Sequence, residues 1–187
     1  MTNNVITKTW YSAKGGEGCT VTCARAALAH GGPVALRDLT GTGDLAAVFG
    51  VCPPDDDGPP VEAAPGVLLI GTFDLAPVGS AVFYDAGVQT AVPSGDGVLV
   101  VRNSYLSLRR AVRMTGTRAG HPNGRHGAVV AVMTSGGALR GSDIMAALGV
   151  PEVTVLAVDP AIARAVDAGI LAGRGALRDD AFTFSSV

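Results

Sequence analysis

Seven residues at 14–20, KGGEGCT, hold the most explicit chemistry in this chain of 187 residues. They follow an apolar, strand-like run and open a helix-like one. A loop of this kind turns successive backbone N–H groups and a helix N-terminus toward one point, where aligned donors and the helix dipole bind phosphate. Gly15, Gly16 and Gly18 supply the residues that a tight turn and a close approach of backbone to phosphate demand. Thr20 offers a hydroxyl to Mg2+. One position departs from the pattern: where such a loop places the lysine that grips the β- and γ-phosphates stands Cys19. A thiol supplies no cation, and a thiolate at a helix N-terminus would repel phosphate. Losing a lysine–phosphate contact costs about 1.5–3 kcal/mol, roughly ten- to a hundredfold in affinity. Glu17, at the loop's variable position, adds a negative charge that does not help an anion bind, and its one reading from sequence is that it faces a neighbouring subunit.

The elements that must position this loop alternate. Short apolar runs predict strands near 4–11, 34–38, 67–70, 81–85, 98–102, 128–133 and 153–157, with helices over 19–30, 43–50, 104–116, 141–148 and 160–172. Strands apolar at nearly every residue are expected where both faces of a sheet are covered. Their alternation with helices predicts an α/β fold, a mostly parallel twisted sheet with helices on both faces. "HGG" at 30–32 stops the first helix, and "SD" at 142–143 can start a later one. The Pro/acid-rich run 53–66 reads as a loop in place of a helix, and 116–127 reads as a second loop. A chain that is 48% hydrophobic and 16% charged builds a real core and is not disordered, and its length fits a single domain over 1–187.

"KGGEGCT" resembles KGGxGK[ST], the deviant Walker A motif of ParA/MinD-type P-loop ATPases. The resemblance extends through "VALRDLTGTGDLAAVFGV" at 34–51, the Walker B-like "AVFYDAG" at 81–87, "VLVVRNSYLSLRRA" at 98–111 and "VTVLAVDPAIARAVDAG" at 153–169. It is strongest toward small single-domain ParA-like partition proteins. The resemblance implies that Lys14 reaches across a homodimer to the partner's nucleotide, and that Lys14, Gly15, Gly16, Gly18, Cys19 and Thr20 line the nucleotide. Thr20 and Asp85 would hold Mg2+, and Asp38 would orient the attacking water, with Asp44 an outside candidate for that task. Asp85 also reads as a solvated turn residue before Gly87, and Asp38 as a cap for the helix at 43–50, which Thr42 or Gly43 would serve better. Asp159–Pro160 lies where such proteins line the base pocket, and is equally an ordinary helix start.

Charge divides the chain. Residues 1–96 carry 10 acids and 4 bases, and residues 97–187 carry 6 acids and 10 bases. Residues 97–142 contain no Asp or Glu, yet hold Arg102, Arg109, Arg110, Arg113, Arg118, Arg125 and Arg140 with His121 and His126. The first six of these arginines form the candidate DNA-binding set. Such a patch neutralises phosphates without reading sequence, so binding would weaken steeply with salt. The same arginines would otherwise solvate a surface and pair with the acidic half.

Other classes are excluded. No apolar run reaches membrane-spanning length, no secretory leader pattern opens the chain, and three cysteines are too few for a disulfide framework. The ending "GALRDDAFTFSSV" is too acidic for the basic amphipathic anchor of MinD-type proteins, so no membrane docking is expected. The expectation is therefore a cytoplasmic, nucleoid-associated partition ATPase. It would bind ATP and Mg2+, weakly because of Cys19, dimerise over the nucleotides, hold DNA nonspecifically and answer to a ParB-like centromere-binding protein. The alternative is a degenerate, non-hydrolysing relative that acts as a constitutive DNA- or protein-binding dimer. A regulator of septum or pole placement through protein contacts alone is a third.

Overall fold

The computed structural model describes residues 6–116 and 127–173. Strands β1 (Thr7–Ser12), β2 (Val34–Asp38), β3 (Val61–Ala64), β4 (Val67–Leu69), β5 (Ala81–Val88), β6 (Gly97–Arg102), β7 (Ala128–Met133) and β8 (Thr154–Ala157) form one sheet in the order β3-β4-β2-β5-β1-β6-β7-β8. Helices α1 (Cys19–Ala29), α2 (Asp44–Ala47), α3 (Tyr105–Thr115), α4 (Gly141–Leu148) and α5 (Pro160–Asp167) alternate with them. The pairs β2–β4, β2–β5, β1–β6, β6–β7 and β7–β8 run parallel, and β3 runs antiparallel to β4. The α/β architecture read from the sequence is the one observed.

Three features differ from the sequence reading. The run 53–66 is not loop throughout: residues 61–64 form β3, folded back on β4 around Pro65–Gly66, with Gly66 at φ 78°. The helix expected over 160–172 ends at Asp167, and a separate 3-10 turn follows at Leu171–Gly173. Helix 43–50 narrows to the four residues of α2. Most of the expected loop 116–127, and the tail 174–187, lie outside the described residues.

Contacts group the chain into two compact units. Among the described residues the first comprises 6–8, 20–85 and 159–173, and its buried side chains include Leu36, Leu45, Leu69, Phe83 and Leu171. The second comprises 9–19, 86–116 and 127–158. In it Tyr11, Leu99, Val101, Val129, Ile144 and Leu148 pack as one apolar cluster. Strand β6 buries five of its six residues, as a parallel strand covered on both faces must. Helix α3 starts where the Ser104 hydroxyl accepts the Ser107 N–H at 3.3 Å, and it stops at left-handed Gly116. Helix α4 starts with the Asp143 carboxylate accepting the Arg140 N–H at 2.7 Å. Among the described residues, no helix is long and apolar enough to cross a membrane.

Candidate functional site

The loop between β1 and α1 is built from the second unit. Ser12, buried at the end of β1, donates its hydroxyl to the Lys14 carbonyl at 3.1 Å and so fixes the exit from the strand. Gly16 and Gly18 take φ of 77° and 91°, a region that side-chain-bearing residues rarely enter. The two left-handed steps reverse the chain before α1 begins at Cys19. Gly15 and Gly16 are exposed, so the backbone of the loop faces outward. Cys19 is buried, and its thiol is not in a disulfide. It is the first residue of α1.

Glu17 departs from expectation. It does not face outward toward a neighbour but is 1% exposed within its own chain. Its Oε2 accepts the Arg102 N–H at 2.7 Å and the Ser107 hydroxyl at 2.5 Å. Its Oε1 lies 3.4 Å from the Lys14 ammonium, which also donates to the Gly15 carbonyl at 3.0 Å. The residue that sequence reasoning left without a role thus joins the loop to the first turn of α3. No local signal announces this, because the anchors are 85 and 90 residues away in the chain.

The first unit holds the carboxylates. Asp38 ends β2 and stands in register with Asp85 of β5. Paired positions on parallel neighbours point to one face of the sheet, with strands about 4.8 Å apart. Asp85 is fully buried, and its carbonyl accepts the Leu39 N–H at 2.8 Å. Asp38 is half-buried. Its Oδ1 accepts the Thr40 N–H at 2.7 Å and the Thr40 hydroxyl at 2.5 Å, while its Oδ2 is buried with no hydrogen-bond partner. Asp38 therefore braces the turn after β2 rather than capping α2, whose cap position is taken by Gly43. With Thr42, Asp56 and Thr72 it lines a cavity of about 280 Å3 whose floor includes Leu36, Leu45 and Leu69. Asp44 opens α2. Thr20, the second residue of α1, belongs to this unit too. Among the described residues no group of three or more His, Cys, Asp or Glu side chains is gathered to hold a metal by itself. Any Mg2+ would have to draw most of its oxygens from a nucleotide and water, as Mg2+ ordinarily does.

The basic residues fall out unevenly. Arg109, Arg110 and Arg113 are exposed on α3. Arg102, at the end of β6, is half-buried, with its Nε out of solvent. Arg118 and Arg125 lie outside the described residues. Asp159 caps α5, its carboxylate accepting the Ala161 N–H at 2.7 Å ahead of Pro160.

No protein-family model and no curated protein matches the sequence. Solved structures do. A ParA family ATPase from Chlorobium tepidum TLS superposes over 97% of this chain and 96% of its own, with a TM-score of 0.68 and 16% identity. MinD in the MinC:MinD cell division complex of Aquifex aeolicus covers 88% of this chain and 86% of its own, at 0.65 and 19%. The fold is that of the ParA and MinD ATPases. A Borrelia burgdorferi plasmid partition protein bound to AMPPNP shares this ParA-like fold over 96% of this chain and 94% of its own, at 0.61 and 12%. The resemblance carried by a few short motifs is thus matched by a likeness along nearly the whole chain.

Proposed function

We propose that the chain is a ParA-like nucleotide switch. The loop 14–20 takes the phosphates of ATP, Thr20 and Asp85 hold Mg2+, and Asp38 orients the attacking water. A dimer forms over the nucleotides, with Lys14 serving the partner's phosphates. The arginines of α3 hold DNA without reading its sequence, and a ParB-like protein stimulates hydrolysis and release. The observation that carries this reading is the glycine loop. In a chain with the ParA/MinD fold, two left-handed glycines open α1 directly after β1, leaving the loop backbone exposed. The Borrelia relative's AMPPNP supports an adenine nucleotide. Asp38 and Asp85, in register on neighbouring strands, and Thr20 at the start of α1 are the oxygen groups this reading assigns to the Mg2+ side of the site.

Calorimetry with ATP and Mg2+ tests the proposal. Micromolar binding is expected, and absence of heat at millimolar nucleotide overturns it. Cys19→Lys restores the missing cation and is expected to raise affinity about ten- to a hundredfold.

A second reading, a constitutive dimer that no longer uses ATP, is favoured by one observation: the loop holds a buried thiol at position 19 and a carboxylate beside Lys14. Gel shifts on random DNA separate the two. Retardation that requires ATP supports the switch, and equal retardation without it supports the constitutive form.

A further inference from the structure

Among the described residues of the second unit, Glu17 is the charged side chain that solvent does not reach. A carboxylate taken out of water is costly unless donors and a cation compensate. Here the compensation comes from three directions. The Arg102 N–H and the Ser107 hydroxyl hold Oε2 at 2.7 and 2.5 Å, and the Lys14 ammonium stands 3.4 Å from Oε1. Ser107 is the third residue of α3, an eleven-residue helix, so the carboxylate also lies by the positive end of that helix. The turn made by Gly16 and Gly18 aims Glu17 inward, and Lys14 folds back over the loop to meet it.

We infer that Glu17 is a positioning residue for Lys14. It holds the ammonium on its own loop and pins that loop to the first turn of α3, so an anion that recruits Lys14 must first draw it away from Glu17. This rests on the reading of the loop as a phosphate site. In that reading Lys14 serves a second copy of the chain, and the pair with Glu17 is what a dimer has to break. The Lys14 side chain is one-third exposed, so an incoming phosphate can reach it while Glu17 stays enclosed. Glu17 thereby sets how readily the loop yields its cation, and the exposed arginines of α3 sit on the helix to which it is bound.

The full chain offers a direct probe, because its only lysines are Lys8 and Lys14. Reductive methylation with 13C-formaldehyde keeps their charge and gives one NMR signal for each. In the nucleotide-free wild type, the Lys14 methyl signal is expected to show through-space transfer to the Glu17 side-chain protons. Its absence overturns the inference without need of a variant. Glu17→Gln is expected to move the Lys14 signal and leave Lys8 in place, and a Lys14 signal that stays put overturns it as well. Titration of the same samples with ATP and Mg2+ extends the test. Glu17→Gln is expected to half-saturate at about fivefold lower ATP than wild type, and Lys14→Ala/Glu17→Gln to show no gain over Lys14→Ala. Equal affinity of Glu17→Gln and wild type overturns the inference. If ATP moves neither signal in either protein, the nucleotide reading fails, and the transfer and the nucleotide-free shift still decide whether Glu17 holds Lys14.

Discussion

Tyr11 shows what enclosure does to one group. It is fully buried on β1, its hydroxyl finds no hydrogen-bond partner among the described residues, and burial pushes its pKa from 10.0 to about 12. The folded chain keeps the phenol proton at a pH where the unfolded chain has lost it. Stability from this group is therefore intact below pH 10 and drains away as pH rises from 10 to 12, by about 2–3 kcal/mol in all. Tyr11→Phe is expected to abolish that alkaline slope in denaturant titrations. At neutral pH it should leave stability unchanged or slightly raised, since an unpaired buried hydroxyl is removed. Asp38 allows a second test at this scale. Asp38→Asn keeps an oxygen for the Thr40 N–H but loses the charge. It is expected to slow ATP hydrolysis about a hundredfold while changing ATP affinity little. A matching fall in affinity would mean that Asp38 holds the nucleotide rather than the water.

Elements decide which of these groups a reader of the sequence can find. The glycine loop is legible because its chemistry is local: strand, turn and helix start lie within about fifteen consecutive residues. Strands β2 and β7 were legible to their ends: β7 is an unbroken apolar run, and β2 runs from three apolar residues after Pro33 to Asp38 at its end. β3 was not, because its four residues, VEAA, follow a stretch of proline and aspartate and gain their strand character from pairing with β4. Glu17 was not, because its meaning depends on Arg102 and Ser107 being delivered by β6 and α3. Ser107→Ala tests that delivery. It removes a charge-assisted bond from an enclosed carboxylate and is expected to cost about 1–3 kcal/mol in chemical denaturation, while leaving the Lys14–Glu17 pair in place. On the outer face of the same helix, Arg109→Ala/Arg113→Ala is expected to weaken binding to random DNA. The slope of log affinity against log salt should fall by about two, and an unchanged slope would remove α3 from the DNA surface.

At the scale of the whole molecule, a ligand that binds only the folded chain raises its stability by mass action. ATP with Mg2+ at about a hundred times its Kd is expected to add about 2.7 kcal/mol and lift the melting temperature by roughly 5–10 °C. Magnesium without nucleotide is expected to do far less, since no ready-made cluster of three ligands exists among the described residues. The sheet also bears on how such a protein survives at high local concentration. Its outermost strands, β3 and β8, are four residues each, and β3 carries the outward Glu62. Long, flat rims invite stray chains to zip on, whereas stubby and charged ones give a newcomer almost no template. Crowding many copies together should therefore leave them separate particles rather than seeds of a fibre.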